Sequence, residues 1–599
     1  MPRSFRKSVW ALWLMSAASF RTDPWIAAAG LLVTIAENAS APLLALGLKW
    51  LADAAAQRSP ELLVLTLALL AGGLVGRHVA NLAGFALRNM LRESTSLTVQ
   101  SRLAAVTASI PGIEHFERPE YLREMDLLRE QHARLAWVHQ GAVVVLGLLI
   151  QLLLTLVLLA GVDPWLLLMP LLGVPALLLS ARAQRRFTGV WEAVAEPRRL
   201  EWHLYRLATS AEAGKEVRIF GLADELLGRH RKVRRNVDKL EDAACWGFVK
   251  LTTIGWIVFA LGFVGAIAIV VERAGRGEAT VGDVVLTITL ASQLHGQLNW
   301  LVGEFVWMLQ TLKSAERFAW LLEYAASASR PPAEDGAALP DVLLHGIDLE
   351  RVSFRYPGTD RDVLADVSLH LPAGSTVAIV GENGAGKTTL VKLLTGLYEP
   401  TSGRVAADGV DLRRFSTSGW RERTSAGFQD FARLELLARE SVGVGSLAEL
   451  ENVASVETAL DRAEARDLVA TLPSGLETQL GASFDGGAEL SGGQWQKLAL
   501  GRAMMRTAPL LLVLDEPTAA LDAQTEHALF ERYAGAARRV AGNGAITMLV
   551  SHRFSTVRMA ELIVVVAGGR VVETGSHAEL MAAGGLYAEL YELQAHAYR

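Results

Sequence analysis

The chain has 599 residues, a hydrophobic fraction of 51% and a formal net charge of −5 at pH 7. This length exceeds what one hydrophobic core supports, so two or more domains are expected. The mild charge gives no case for nucleic acid as a partner, and the single cysteine, Cys245, rules out an intramolecular disulfide and a cysteine-based metal site.

The N-terminal segment combines a basic start with an apolar patch. Arg3, Arg6 and Lys7 precede an apolar stretch from Val9 to Phe20, a pattern that resembles a secretory signal peptide. We favour instead an amphipathic helix on the inner membrane surface, because the basic loops and the soluble domain that follow require a cytoplasmic N-terminus.

Residues 1–320 hold most of the long apolar runs, each near the roughly 20 residues that cross a bilayer. The basic residues from Arg182 to Lys239 stay cytoplasmic by the positive-inside rule, whereas the turn Gly161–Pro164 carries no basic residue and lies outside. Both termini are therefore expected in the cytoplasm. The six predicted spans are Trp25–Leu48, Leu62–Leu87, Trp137–Leu159, Trp165–Ser180, Trp246–Val271 and Val281–Met308.

The residues after the six predicted spans have the pattern of a soluble α/β domain. A stretch with little periodicity, containing two adjacent prolines, predicts a linker at 325–340. From Ile347 onward, short alternating runs predict strands separated by helical stretches. We predict an α-helical polytopic membrane domain with cytoplasmic extensions at 1–324, followed by an α/β phosphate-loop nucleotide-binding domain at 341–599.

The most specific motif is a phosphate loop between a predicted strand, Thr376–Val380, and a predicted helix that begins near Leu390. Its glycines let backbone N–H groups close around phosphate oxygens, and the helix N-terminus adds partial positive charge. Lys387 can reach the outer phosphates and Thr388 can bind Mg²⁺. The loop residues are Gly381, Glu382, Asn383, Gly384, Ala385, Gly386, Lys387, Thr388 and Thr389.

A fully apolar run, Leu510–Leu514, ends in two carboxylates. It predicts a central parallel strand, and ligands collect at the carboxyl ends of such strands. Asp515 is then placed to hold Mg²⁺, and Glu516 to accept a proton from the attacking water. Alone, the pair would be a strand ending in solvated acids; the phosphate loop upstream favours the catalytic interpretation.

Leu490–Gln494 resembles the signature motif of ATP-binding-cassette proteins, and almost the whole chain resembles a half-size bacterial exporter of that family. The resemblance implies ATP and Mg²⁺ as cofactors and a multi-pass protein of the bacterial inner membrane. Within one subunit it implies that Tyr356 stacks on adenine, Gln429 contacts Mg²⁺ and His552 lies near the γ-phosphate. Across a dimer interface it implies a role for Asp522. The residues that it implies bind the nucleotide held by a second subunit are Ser491, Gly492, Gly493 and Gln494.

The resemblance also implies a second half-transporter, with a homodimer favoured and a heterodimer open. Phe116–Tyr121 and Gly214–Gly221 resemble the two cytoplasmic coupling segments. Two departures from the pattern, Ala519 in place of serine and Asp485 in place of glutamate, remove no catalytic group. The complete set disfavours a regulatory cassette protein that does not pump.

The cargo is less defined. The local sequence at Phe428–Phe431 is similar to that of exporters of modified peptides, which favours a small peptide over a drug or lipid as cargo. Polar residues inside a span tend to face a cavity or one another. Five such residues lie on one face of span six, and we expect them to line the translocation path, a packing face being the alternative: Gln293, Gln297, Trp300, Glu304 and Trp307.

Overall fold

A computed structural model of the protein forms two compact units. The first contains Met1–Ala105 and Leu127–Leu321, and the second contains Val106–Asp126 and Leu322–Arg599. Val106–Asp126 therefore packs with the C-terminal part of the chain, although it lies between two predicted spans. The structure describes residues 20–21, 23–328, 337–516, 544–551 and 553–597.

Helices make up the N-terminal part of the chain. Those that contain spans two, five and six are 50, 53 and 48 residues long, much longer than the roughly 20 residues that a bilayer requires. They therefore continue beyond the apolar segments, as the sequence predicts. Their bounds are α1 Pro24–Ala56, α2 Pro60–Ser109, α3 Pro119–Ala136, α4 Val138–Val162, α5 Met169–Ala193, α6 Ala195–Thr209, α7 Gly214–Ile219, α8 Ala223–Gly275 and α9 Val281–Ala328.

Within the described residues, five helical segments are long and apolar enough to cross a membrane. They coincide with the first five predicted spans. The sixth prediction, Val281–Met308, lies in the continuous helix α9, which is not among those five. The helical membrane-type domain predicted from the sequence is confirmed. The five segments are Pro24–Ala56, Pro60–Ser109, His139–Val162, Pro164–Trp191 and Ala223–Gly275.

The second unit is an α/β domain with two sheets, as predicted. A six-stranded sheet has the order β10-β9-β3-β8-β7-β6, and its strands are parallel except for β10. A four-stranded antiparallel sheet has the order β2-β1-β4-β5. The strands are β1 Gly346–Phe354, β2 Leu364–Pro372, β3 Thr376–Val380, β4 Ser402–Ala407, β5 Val410–Asp411, β6 Thr424–Gly427, β7 Leu511–Asp515, β8 Ile546–Val550, β9 Leu562–Ala567 and β10 Arg570–Gly575.

Strands β3, β7 and β8 form the centre of the large sheet, and nearly all their residues are buried. Continuous apolar sequence suits a parallel strand that is covered on both faces. The helices that accompany the sheets are α10 Lys387–Leu394, α11 Thr417–Glu422, α12 Ala438–Gly443, α13 Val453–Arg462, α14 Arg466–Ala470, α15 Gly492–Ala503, α16 Phe554–Val557, α17 His577–Ala583 and α18 Leu586–Ala597.

Two of the three hydrophobic clusters in the described part of this unit surround the predicted site. One joins the four-stranded sheet to β3 and α10 and includes Leu349 and Leu390. The other is mainly helical and packs Trp495 and Leu498 of α15 against α12, α13 and α14, with Leu512 of β7 on its border. The unit is thus a sheet core with a helical subdomain attached.

Candidate functional site

The parallel strands bring four predicted segments to one edge of the large sheet. The phosphate loop follows β3, the Asp515–Glu516 pair ends β7, Gln429 follows β6, and Ser551 follows β8. Parallel strands present their carboxyl ends at the same edge, which is where ligands bind in such sheets. The order of strands therefore assembles groups that are far apart in the sequence.

The phosphate loop has the backbone that the motif requires. Gly384 and Gly386 have φ angles of +80° and +107°, a region that favours glycine. A Cβ atom on Gly386 would lie 2.7 Å from a methyl carbon of Leu364. Gly386 directly precedes α10, so the loop leads into a helix N-terminus that attracts anions. Glu382 and Asn383 are exposed on the loop, and Ala385 is buried beneath it.

Lys387 is folded back onto the loop that precedes it. Its side chain is 7% exposed, and its Nζ donates hydrogen bonds to the carbonyl oxygens of Gly381 at 2.8 Å and Glu382 at 2.9 Å. Burial lowers the pKa of the amine, and the charges of Glu516 and Asp515 oppose that shift. An incoming phosphate would offer this buried cation a stronger partner than two neutral carbonyls.

The carboxylate of Asp515 is buried. Burial raises the pKa of its carboxyl to about 6; the charges of Glu516 and Asp430 act in the same direction, and a hydrogen bond from Thr388 opposes it. A divalent cation bound by Asp515 and the exposed Thr388 hydroxyl would relieve this crowding. These oxygen donors fit Mg²⁺, which usually takes one or two carboxylates together with substrate phosphates. Within the described residues no cluster of three His, Cys, Asp or Glu side chains could hold a metal by itself.

Glu516 is held beside Asp515 in an unusual conformation. Its φ of +47° lies in the left-handed region, which costs a non-glycine residue about 1–3 kcal/mol and often occurs at functional sites. The Nε2 of Gln429 donates to Glu516 Oε2 at 2.7 Å, and the Nε2 of Gln496 donates to the Glu516 carbonyl at 3.3 Å. Gln429 therefore holds the carboxylate of Glu516, and Gln496 holds its backbone.

Tyr356 lies close behind the phosphate loop. Its hydroxyl is 3.0 Å from the Thr389 hydroxyl, and its ring makes edge contacts with Phe354 and Tyr398 at centroid distances of 4.9 and 5.5 Å. The ring is half-buried. This placement next to the loop is compatible with a base-stacking role.

The signature segment lies elsewhere in the unit, on the helical core. Ser491 caps α15: its Oγ accepts from the Gln494 N–H at 3.3 Å, and the Gln494 Oε1 accepts from the Ser491 N–H at 2.8 Å. Ser491 and Gly492 are exposed, whereas Gly493 is half-buried. The capped N-terminus of a 12-residue helix is thus open to an anion from outside this chain.

Two predicted site residues fall outside the described part of the chain. They are His552, which follows Ser551 at the end of β8, and Asp522. Both stay predictions from the resemblance.

Residues 364–519 match the family model described as ABC transporter. The chain contains an ABC transporter domain. This match covers the phosphate loop, Gln429, the signature segment and the Asp515–Glu516 pair. Tyr356, Asp522 and His552, to which the resemblance also assigns roles, lie outside the matched residues.

Comparison with known proteins extends the likeness beyond that domain. The chain is 36% identical over 319 residues to a protein from Aromatoleum aromaticum named ATP-dependent lipid A-core flippase, which covers 53% of this chain and 51% of that protein. It is 29% identical over 412 residues to the subtilin transport ATP-binding protein SpaT of Bacillus subtilis, covering 68% of this chain and 65% of that one. The chain thus spans about half the length of the flippases that it matches.

The overall architecture also has a counterpart among solved structures. A bacterial Atm1-family ABC exporter with ATP bound superposes with a TM-score of 0.71 at 24% identity, covering 96% of this chain and 98% of the other. At this identity the likeness concerns the fold, and it covers the membrane-type domain together with the ABC transporter domain. The chain has an exporter fold.

Sequence reasoning missed three residues at this site. Asp430 adds to the charge at Asp515, and Gln496 holds the Glu516 backbone. Arg502 of α15 donates to the carbonyls of Ser441 at 2.9 Å and Ala432 at 3.3 Å, so it ties the signature helix to the segment that follows Gln429. Asp430 and Gln496 stand next to predicted motifs, but nothing in the sequence marked Arg502.

The predicted first coupling segment contacts the same unit. Glu117 pairs with Lys392 of α10 at 3.4 Å, and the Lys392 Nζ lies 5.4 Å from the ring centroid of Tyr356 and 5.5 Å from that of Tyr398. Burial and Glu117 both raise the pKa of Tyr398. Lys392 therefore links the aromatic group behind the phosphate loop to Glu117. The second predicted coupling segment lies in the other unit, with Phe220 exposed.

We expect Lys392→Met to loosen residues 113–121. The variant removes one ion pair and two cation–π contacts, together worth about 1 kcal/mol, which corresponds to roughly fivefold faster local opening. Hydrogen exchange of this segment in the full-length protein measures the change. Lys392→Arg keeps the charge and serves as the control. Equal exchange in wild type and Lys392→Met would exclude Lys392 as an anchor of this segment.

Proposed function

We propose that the protein is an ATP-driven exporter of the bacterial inner membrane, a multi-pass protein with both termini in the cytoplasm. The observation that carries the proposal is the constellation at the sheet edge, where Lys387, Asp515, Glu516 and Gln429 meet. The described residues of the same chain include five helices long and apolar enough to cross a membrane. A chain that binds and cleaves a nucleoside triphosphate and also carries apolar helices is suited to transport rather than to soluble catalysis.

The residues divide the chemistry as follows. The loop N–H groups and Lys387 bind the outer phosphates. Glu516 accepts a proton from the attacking water while Gln429 holds its carboxylate. Thr388, Asp515 and Gln429 would hold Mg²⁺, which neutralises charge on the phosphates when it is bound. His552 and Asp522 complete the site by the family resemblance.

We propose that the nucleotide is sandwiched between two chains, in a homodimer rather than a heterodimer. The phosphate loop lies on the sheet core, whereas Ser491 lies exposed on the helical core of the same unit. A second chain could therefore place its own Ser491–Gln494 on the bound γ-phosphate. ATP would close this dimer, and closure would turn the transport cavity outward. To move such an equilibrium from mostly open to mostly closed, ATP must favour closure by about 5 kcal/mol.

For cargo we propose a small peptide, with a lipid as the second candidate. The similarity to a subtilin transport protein extends over 68% of this chain, and the similarity to lipid A-core flippases reaches 36% identity over a shorter region. The test is an ATPase screen of the full-length protein in lipid discs, in which small peptides, lipids and cationic drugs are each compared with buffer. The Glu516→Gln variant gives the background. Stimulation by drugs alone would refute both candidates, and the absence of basal ATPase would refute the exporter proposal itself.

The polar face of α9 divides into two environments. Gln297 is buried, and its Nε2 donates to the Thr155 hydroxyl of α4 at 3.1 Å, so it joins two helices of the first unit. Trp300 is 68% exposed. Glu304 and Trp307 both lie near Gly141 of α4, because a Cβ atom there would come within 3.1 Å of each side chain. Packing therefore explains Gln297, while Trp300 remains a candidate for contact with cargo.

We expect Trp300→Ala to lower the stimulation of ATPase by cargo and to leave the basal rate unchanged, since the indole is not part of a packed core. Gln297→Leu should instead lower the thermal stability, because the buried Thr155 hydroxyl loses a partner worth about 1 kcal/mol. Basal and stimulated ATPase, together with the melting temperature, separate the two effects. If Trp300→Ala changed only the melting temperature, the path would have to lie elsewhere.

A further inference from the structure

A cavity in the first unit lies where α1, α2 and α4 come together. Its walls are largely apolar and include Ala27 and Leu91, which are 0% and 8% exposed, and Val143, which is 8% exposed. Two arginines of α2, Arg88 and Arg92, also line it. An apolar cavity that holds cations is suited to a ligand with both an apolar and an anionic part.

The two arginines differ in whether a carboxylate neutralises their charge. Arg88 pairs with Glu37 at 3.1 Å and also donates to Thr34, so its charge is neutralised within the unit. Arg92 lies over the ring of Trp137 with its Cζ 5.0 Å from the centroid. Within the described residues, no carboxylate within ion-pair distance of Arg92 is found. Of the two arginines that line the cavity, Arg92 is thus the one whose charge has no carboxylate partner among the described residues.

Within the described part of the chain, the Arg92 guanidinium makes no hydrogen bond, so its N–H groups can bind an anion. The planar guanidinium can bind a phosphate with two parallel hydrogen bonds. Gln140, which also lines the cavity, can add an amide donor. The arrangement matches a phosphate or a similar anion.

The level of the cavity along the helices points to the same class of ligand. Ala27 lies three residues into the apolar segment Pro24–Ala56, and Gln140 lies at the start of His139–Val162. Arg88 and Arg92 come directly after Leu87, where the predicted second span ends. The cavity is thus at the border between the apolar segments and the polar parts of the helices, at the depth of lipid headgroups.

We propose that this cavity marks the binding position of an amphiphile's anionic headgroup, with Arg92 as the anion-binding residue and the attached chain outside the cavity, in the lipid. A resident membrane lipid and a transported amphiphile share this chemistry. The proposal does not depend on the cargo proposed above, because it concerns binding and can be measured without turnover.

The first test titrates the full-length protein in detergent with phosphatidylglycerol and counts bound lipid by native mass spectrometry, with phosphatidylcholine as the neutral comparison. We expect Arg92→Gln to weaken phosphatidylglycerol binding about fivefold, the effect of one basic residue near an anionic headgroup, and Arg92→Lys to retain most of it. Arg102→Gln, an equal charge change at an exposed position of α2 outside the cavity, is the control. Equal affinity in Arg92→Gln and Arg102→Gln would overturn the proposal.

A second test fills the cavity without changing its charge. A Cβ atom on Gly30 would meet only Leu87 Cβ, at 4.0 Å, so Gly30→Leu can extend into the cavity with little strain. We expect this variant to bind less phosphatidylglycerol, whereas Gly76→Leu, with open space around it, should bind as wild type. Unchanged binding in Gly30→Leu would exclude the cavity as the site.

The same titration in the Glu516→Gln background, with and without Mg²⁺ and ATP, separates the two sources of the anion. A resident lipid stays bound when ATP is added, whereas a transported amphiphile is released. Either result supports the site at Arg92, and each identifies a different occupant.

Discussion

The Glu516→Gln variant is expected to bind ATP as wild type does and to lose at least about 100-fold in the rate of ATP hydrolysis, the usual contribution of a positioned general base. The amide has the shape of the carboxylate and can still accept from Gln429, whose Nε2 lies 2.7 Å from Glu516 Oε2 in the wild type. It cannot accept a proton from water. Steady-state ATPase and equilibrium binding of a labelled ATP analogue measure the two quantities separately.

The control for this variant is Glu589→Gln, which makes the same change at an exposed position of α18 outside the site. It should leave both quantities unchanged. The variant Glu516→Gln should also hold the proposed dimer closed, because bound ATP is no longer cleaved. Near-normal ATPase in Glu516→Gln would refute the role of Glu516 as the base.

The site residues that the sequence revealed are those set by local pattern. The glycine spacing of the phosphate loop and the apolar run before Asp515 each indicate a structure within about ten residues, and both lie within the ABC transporter domain. Neighbouring parallel strands then bring the loop, Asp515 and Gln429 to one edge. An α/β pattern with buried strands is enough to predict this meeting.

Other features depend on contacts between distant parts of the chain. The left-handed backbone of Glu516 and the donation from Gln496 arise where β7 meets α15. Arg502 reaches the carbonyls of Ala432 and Ser441 across about 60–70 positions of the chain. No periodicity or motif records such pairs, so the sequence alone did not point to Gln496 or Arg502.

Span six shows the limit of reasoning from helical periodicity. The spacing of polar residues correctly places them on one helix, α9, but one face of a helix can meet different neighbours along its length. Gln297 meets Thr155 of α4, whereas Trp300, almost one turn further on, is mostly exposed. A single function for the whole face is therefore too simple.

The sandwich proposal makes Ser491 as important for turnover as Glu516, although the two residues would act on different chains. In Ser491→Arg a long cation replaces the residue that caps α15, at an exposed helix N-terminus. The change blocks close approach of a γ-phosphate held by a second chain and leaves this chain's own phosphate loop intact. We expect ATP binding to persist and hydrolysis to fall at least about 100-fold, comparable with the loss of one group that stabilises the transition state.

Combining Ser491→Arg with Glu516→Gln separates this interpretation from a local unfolding of α15. The double variant should still bind ATP and melt only a few degrees below wild type, because the lost cap of α15 is worth about 1 kcal/mol. ATP should no longer hold the dimer closed, as measured by cross-linking of the full-length protein in lipid discs. Thr458→Arg, an exposed position on α13 of the same helical core, is the matched control and should behave as wild type. ATP-dependent closure that survives in the double variant would mean that Ser491 does not contact the partner's nucleotide, since a cation of this size cannot fit within a closed phosphate-binding interface.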